Sequence, residues 1–511
     1  MIVKVAVNLP QTEPLDYSFD TDLSSSDVVG RWVLVPLRKK LTLGLIIEAV
    51  FKIKTKYKLK KINELLGELP KMDKGWLELI QFSSNYYHKS LGQTVFSSVP
   101  RTLKNVNTYE TVGKTSKIEK LISAINKVKK NDYFFQNLLL NSEQKIAVTK
   151  ILDWEKPILL HGVTGSGKTR VYAKIIQEII KKNPDSQILL LVPEIGLTPQ
   201  IFKTMSEMLE GLTIFLFHSE QTPISRAKIW LSSSKGDSLL IIGTRVSIFL
   251  PLPKLKLIII DEEHDTSFKQ QEGIRYSARN LAIWRGKKVG CKTILGSATP
   301  SLESWWFHKQ GKHERVRLSK QATGRPLAKI KPIKLDIQGE RCGISKQSEE
   351  KIKKTLLQKQ QILVYINKKG WAPVLGCIEC GWAADCNNCS SHMVLHKVEN
   401  KWKLICHHCG NRKVVYKICP DCSSPDIKPI GQGTEKIEEN LATMFPDAKI
   451  LRMDREKIRG RKSLENCLDQ INKGKVDIIV GTQMITKGHD FPNLTFVLAV
   501  DVDSQLKNTD F

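Results

Sequence analysis

The chain has 511 residues, enough for roughly three or four domains with a core each. It carries 80 Lys and Arg against 52 Asp and Glu, formally +28; this favours a polyanionic partner, most simply nucleic acid, with a Lys-rich proteome as the bland alternative. No apolar run approaches the ~18–20 residues that span a bilayer, and the opening MIVKVAVNLPQTEPLDYSF lacks the parts of a signal peptide, which predicts a cytoplasmic protein without a membrane partner.

From residue 1 to 100, short apolar runs alternate with turn signals: VAVNLP, YSFD, RWVLVPL and LTLGLIIEAVF. These predict strands, and the stretch from Trp76 to Ser90 predicts helix, so 1–100 reads as a small β-rich domain. Residues 101–139 hold eight Lys/Arg and three Asp/Glu, with one helix expected in SKIEKLISAINKVKK. They form a basic connector or a very small domain.

From Leu140 the pattern changes. PILLH, QILLLVP, TIFLFH, SLLIIG, LKLIIID and TILGS recur between helix-length segments. Near-continuous Ile/Leu/Val strands alternating with helices mean a parallel sheet covered on both faces. A second series follows with ILVYIN, AKILRMD, DIIVGT and LTFVLAVD. The expected fold class is multidomain α/β, with one lobe at 140–330 and a second at 331–511.

HGVTGSGKT has the G-x-x-x-x-G-K-[ST] spacing, between the strand PILLH and the helix RVYAKIIQEIIKK. That is the setting of a phosphate-binding loop. Gly162, Val163, Thr164, Gly165, Ser166 and Gly167 are expected to cradle ATP phosphates with backbone N–H groups at a helix N-terminus. Lys168 is expected to reach the β- and γ-phosphates, and Thr169 to ligate Mg²⁺. LKLIIIDEEHD ends a buried strand on acids. Asp261 is placed to hold Mg²⁺, directly or through water, and Glu262 to polarise the attacking water; an acidic turn capping the next helix is the plain alternative. His264 either couples this site to a motor or caps a helix.

Four Cys-x-x-Cys pairs lie between Cys377 and Cys422, inside the second lobe: C-x₂-C-x₅-C-x₂-C-x₁₆-C-x₂-C-x₉-C-x₂-C. They are Cys377/Cys380, Cys386/Cys389, Cys406/Cys409 and Cys419/Cys422. In a reducing compartment such a cluster means metal rather than disulfides. Eight thiolates make two closed Cys₄ sites, structural or recognitional, with Zn²⁺ the default tenant and iron–sulfur the rival. Three pairings are open. His392, His396, His407 and His408 lie nearby and are expected at the surface or facing nucleic acid. Cys291, Cys342 and Cys467 are scattered and read as ordinary buried thiols.

With a P-loop and a DEEH sequence, the chain resembles a superfamily 2 helicase, and specifically the replication-restart helicase family PriA (primosomal protein N′). LNSEQ, with Gln144, resembles its adenine-contacting segment. LVPEIGLTPQ (191–200) and GTRVSIF (243–249) resemble its DNA-contact motifs. DEEHDTSFKQQEGIRYSARNLA resembles its DEEH box and aromatic loop, with Phe268 and Tyr276. GSATPSLES (296–304) resembles its coupling motif, and GTQMITKGHDFPNL (481–494) its second-lobe nucleotide motif. In ILVYINKKGW, Lys368-Lys369 stand where the family usually shows two arginines.

The resemblance implies two RecA-like parallel-sheet lobes and an ATP-dependent 3′–5′ DNA helicase acting in primosome assembly and restart of stalled forks. It implies that 1–100 captures the 3′ end of a nascent strand, and that a winged-helix module is reduced or absent at 101–139. It implies a two-zinc insert at 377–422, with Cys377, Cys380, Cys419 and Cys422 on one ion and Cys386, Cys389, Cys406 and Cys409 on the other. Its partners would be single-stranded and forked DNA, single-stranded DNA-binding protein and other primosome proteins. The family's γ-phosphate arginines follow the stretch matched by LAVDVDSQLKNTDF, so a C-terminally truncated chain is expected. The alternative is a chain that binds ATP, zinc and forked DNA with little hydrolysis or unwinding.

Overall fold

A computed structural model describes residues 1–511 except 11–12, 51–57, 113–114, 127–134, 194–197, 238, 323, 325, 327, 334–342, 367–373, 378, 390–391, 399–400, 407, 431–432, 455–460, 483–490 and 503–511. The chain divides into two compact units, Met1–Ala328 and Lys329–Phe511. Lys368, Lys369, Cys342, His407 and most of the 481–494 motif lie outside the described residues.

The first unit opens with a five-stranded antiparallel sheet, in the order Leu15–Ser18, Ile2–Val7, Lys40–Val50, Trp32–Leu37, Glu64–Leu65. Strand alternation sends side chains to opposite faces. Val33 and Val35 join Val3, Val5 and Ile46 in one core. Trp32 and Leu34 join a larger core on the other face. That core is built with helices Lys74–Tyr86 and Leu91–Ser98, capped by Asp73 and Ser90. Each large apolar side chain buried there contributes roughly 1.5–3 kcal/mol.

The segment after residue 100 does not stand apart. Its helices Arg101–Lys104 and Lys117–Asn126 pack on helix Pro223–Ser234. Leu103, Ile118, Leu121 and Ile125 share one core with Trp32 and Trp230.

The P-loop region is a seven-stranded, wholly parallel sheet. Its order is Ile214–Phe217, Leu239–Gly243, Gln187–Leu191, Leu255–Asp261, Lys292–Ser297, Ile158–Gly162, Glu314–Leu318. The six expected runs are all strands. The seventh, ERVRL, is an edge strand that alternates charged and apolar residues, so it lacks the buried-strand signature.

Three successive carbonyls beside this sheet take buried donors, the middle one from the N-terminal region. Arg285 donates to Ile248 O at 2.7 Å and Leu250 O at 3.0 Å, and Trp76 Nε1 donates to Phe249 O at 2.8 Å. Burial holds the Arg285 guanidinium down to about 10.

The second unit has a four-stranded parallel sheet ordered Ile450–Met453, Ile478–Gly481, Gln361–Tyr365, Leu494–Ala499. These are the four expected runs. The cysteine insert leaves after Gln361–Tyr365 and returns before helix Thr434–Met444. Its base is a two-stranded antiparallel ladder, Val374–Cys377 against Ile427–Ile430, in which Val374 faces Ile430. Above it lies a three-stranded sheet, Val394–Val398, Lys401–Ile405 and Arg412–Val414. Among the described residues no helix is long and apolar enough to cross a membrane.

Candidate nucleotide site and metal centres

Strand Ile158–Gly162 is almost wholly buried and ends at the loop 163–167, where helix Lys168–Lys182 begins. Gly165 and Gly167 have φ of +75° and +79°, the left-handed region that favours glycine. They reverse the chain tightly. Gly167 caps the helix with no side-chain bond, leaving its first N–H groups to an anion. The Ser166 hydroxyl is buried and has no hydrogen-bond partner among the described residues. A donor-rich turn with an unspent buried hydroxyl fits a phosphate chain.

Two segments brace the loop from behind. Gln144, almost fully buried, accepts from Asn141 N at 3.0 Å and donates to Ser166 O at 2.9 Å. Both ends of its amide are therefore engaged with the protein. Ala322 N donates to Gly165 O at 2.8 Å, and Glu143 accepts from Ser319 N at 2.9 Å and Lys320 N at 3.2 Å.

Lys168 Nζ lies 3.4 Å from Gly162 O and 3.5 Å from Glu262 Oε1. Thr169 follows, half-buried. The P-loop and the DEEH strand therefore face each other across one small gap. Asp261 ends the strand Leu255–Asp261 and accepts from Tyr172 Oη at 2.9 Å. Burial pushes its carboxyl up to about 6, and the Glu262 charge adds to this; Lys168 and the Tyr172 hydrogen bond oppose it. Burial, then the Asp261 charge, drives the Tyr172 phenol well above its usual value, so it stays a donor. Glu262 has φ +49°, a strained position for a residue with a side chain. Carboxylates at 261 and 262 beside a lysine fit a hydrated divalent cation and a polarised water.

The remaining DEEH residues point toward the 296–304 segment. Glu263 is fully buried and accepts from Ser301 N at 2.8 Å, Ser301 Oγ at 3.0 Å, Ser304 Oγ at 2.8 Å and Arg279 Nη1 at 3.2 Å. His264 Nδ1 meets Ser297 Oγ at 2.8 Å. Ser267 Oγ donates to Pro193 O at 2.8 Å, and Arg245 Nη1 to Ser267 O at 2.8 Å. Parts of the 191–200, 243–249 and 261–282 motifs thus touch, although residues 194–197 lie outside the described set. Phe268 and Tyr276 are both buried. Sequence reasoning missed Tyr172, Glu263 and Arg279 as site residues. The third acid of DEEH was the only available signal.

In the insert, two groups of four sulfurs converge: Cys377, Cys380, Cys419 and Cys422, and Cys386, Cys389, Cys406 and Cys409. Sulfur separations are 3.6 Å for Cys377–Cys422 and Cys380–Cys419, 3.4 Å for Cys386–Cys409 and 3.5 Å for Cys389–Cys406. A tetrahedral zinc with ~2.3 Å arms sets its sulfurs about 3.8 Å apart. The cages fit that ion and are far too wide for disulfides, whose sulfurs sit about 2.0 Å apart. Knuckle N–H groups stabilise thiolates: that of Cys380 holds Cys377 down to about 7, and that of Asn388 holds Cys386 down to about 6. Contrary to expectation, His396 is buried, because it lies within a strand of the three-stranded sheet; His392 is exposed and pairs with Asp385 at 2.5 Å. Outside the insert Cys291 is buried, which pushes its thiol up to about 12, and Cys467 is half-buried.

Three family models match: 3′DNA-binding domain (3′BD) over residues 4–100, DEAD/DEAH box helicase over 141–305, and PriA DNA helicase Cys-rich region (CRR) domain over 386–413. The replication restart protein PriA of Haemophilus influenzae is 34% identical over all of this chain and 78% of its own length. That of Rickettsia conorii is 35% identical over all of this chain and 75% of its own. Among solved structures, the DUF1998 helicase MrfA bound to DNA overlays 76% of this chain and 49% of its own at a TM-score of 0.42 and 13% identity. With a third of its residues shared along its full length, the chain belongs to the replication restart protein PriA family.

Proposed function

We propose that this chain is an ATP-driven DNA helicase of replication restart, moving 3′–5′ on single-stranded and forked DNA. The approach of Lys168 to Glu262 at 3.5 Å carries the reading, because it sets a phosphate-seeking cation against a carboxylate beside Asp261. In this reading the loop Gly162, Val163, Thr164, Gly165, Ser166 and Gly167 wraps the ATP phosphates. Lys168 neutralises the β- and γ-phosphates, Thr169 and Asp261 hold Mg²⁺, and Glu262 orients the attacking water. Gln144 serves the nucleotide by bracing the loop. Glu263 and His264 tie the acids to residues 297–304, which gives hydrolysis a path to the rest of the lobe.

The region 1–100 is the 3′-end-binding module, 101–139 a basic linker or reduced winged-helix, and 140–330 and 331–511 the two motor lobes. The eight cysteines hold two Zn²⁺, which keep the insert folded. Single-stranded DNA-binding protein and other primosome proteins are the protein partners, and the cytoplasm the compartment. DNA-stimulated ATP hydrolysis tests the motor: Lys168→Ala should cost about 10²–10³-fold. Nucleotide and DNA binding with turnover no higher than the variant's would replace the motor with a binding scaffold. Elemental analysis should return two zinc per chain; iron with visible absorbance would overturn that assignment.

A further inference from the structure

A column of three aromatic rings joins the N-terminal region to the P-loop region. Phe82 stacks on Trp284 with centroids 4.3 Å apart and planes at 12°. Tyr86, one helical turn beyond Phe82, stacks with Phe82 at 5.4 Å and 22°. Tyr86 closes the column and is 61% exposed. Tyr87 stands edge-on to it at 4.9 Å and 80°, and its hydroxyl accepts from Ser277 N at 3.0 Å. Lys269 Nζ lies 5.5 Å from the Tyr87 ring. Lys269 is exposed, and so are Lys89, three residues after Tyr86 in the chain, and Lys287, three after Trp284.

We propose that the outer face of Tyr86 is a stacking site for an unpaired base of a single strand of DNA, with Lys269 beside it for the backbone. A lone exposed tyrosine carries no such reading. This ring is backed by two others, so its free face is presented at a fixed angle and little rotamer freedom is lost on binding. A base offers the flat π face that would extend the column, and its phosphates suit the neighbouring lysines. The ring also lies within the stretch matched by the 3′DNA-binding domain model, residues 4–100. Trp284 and Ser277 belong to the P-loop region, so the rings Phe82 and Tyr87 that flank Tyr86 are each tied to it.

This inference rests on the DNA reading above, and the test separates them. The full chain is titrated with a single-stranded oligonucleotide carrying 2-aminopurine, and with one whose central residues are abasic. The unaltered chain and Tyr86→Phe should quench the probe and bind alike. Tyr86→Ala should lose the quenching and bind the base-bearing strand about five- to 100-fold more weakly. All three should bind the abasic strand equally. Undiminished binding of the base-bearing strand by Tyr86→Ala overturns the site while leaving the DNA reading intact. So does an equal loss on the abasic strand, which would mark a phosphate contact or a damaged surface. Failure of the unaltered chain to bind either strand would remove the DNA reading, and this site with it.

Discussion

The nucleotide site and the thiolate cages solve the same problem, holding a charged ligand, in opposite ways. At the P-loop the donors on offer are mostly backbone N–H groups, aimed by a buried parallel sheet and by glycines at φ +75° and +79°. The loop has its shape because the sheet exists. In the insert the contacts are side chains from four knuckles, and the apolar cluster beside them is small: Leu375, Ala384, Met393, Leu395 and Leu404 with two of the cysteines themselves. One site is a product of the fold; the other is a condition for it.

Stripping metal gives the largest expected effect. A chelator should unfold the insert, exposing all eight cysteines to alkylation, and leave residues 1–328 folded. Hydrogen exchange read separately over the two units checks this. Protection in the insert that survives complete metal loss would erase the contrast. Next comes Glu263→Ala, which empties four hydrogen bonds at a fully buried position and leaves Arg279 only Glu303 and Ser301. It should cost about 3–5 kcal/mol in urea unfolding of the first unit. A change below 1 kcal/mol would mean that the acids are held by the sheet alone.

Tyr172→Phe probes the site more gently. It removes the donor that lowers Asp261, so Mg²⁺-dependent nucleotide binding should weaken about tenfold. In the unaltered chain that binding should fall away as pH drops through about 6, where Asp261 takes up its proton; in the variant the fall should begin at higher pH. The stability term has the opposite sign. A raised folded value favours the native state below the ordinary carboxylate range of about 4, and that contribution is lost as pH rises through about 6. A pH profile unmoved by the variant would show that another group titrates. The smallest effect belongs to Trp76→Phe, which keeps an aromatic ring and loses one hydrogen bond to Phe249 O. About 1–2 kcal/mol is expected in thermal unfolding.

Much of this was legible in the residues. Buried parallel strands announce themselves as unbroken Ile/Leu/Val runs, so ten of the eleven strands of the two parallel sheets could be read. ERVRL could not, because an edge strand looks half solvated. The P-loop and DEEH were readable as words because phosphate and metal chemistry restrict which residues can serve. Tyr172, Arg285 and Trp76 were not. Their roles come from meetings between positions as distant as 76 and 249, which no local period encodes. For the same reason the packing of 101–126 onto Trp230 escaped notice.

The ladder that pairs Val374 with Ile430 has an architectural consequence. Paired antiparallel residues sit about 5 Å apart, a gap that a two-residue turn can close. Everything between them is therefore a detachable module. Swapping it for a tight hairpin, or grafting it onto an unrelated strand pair, would ask nothing of the parallel sheet on which it is mounted.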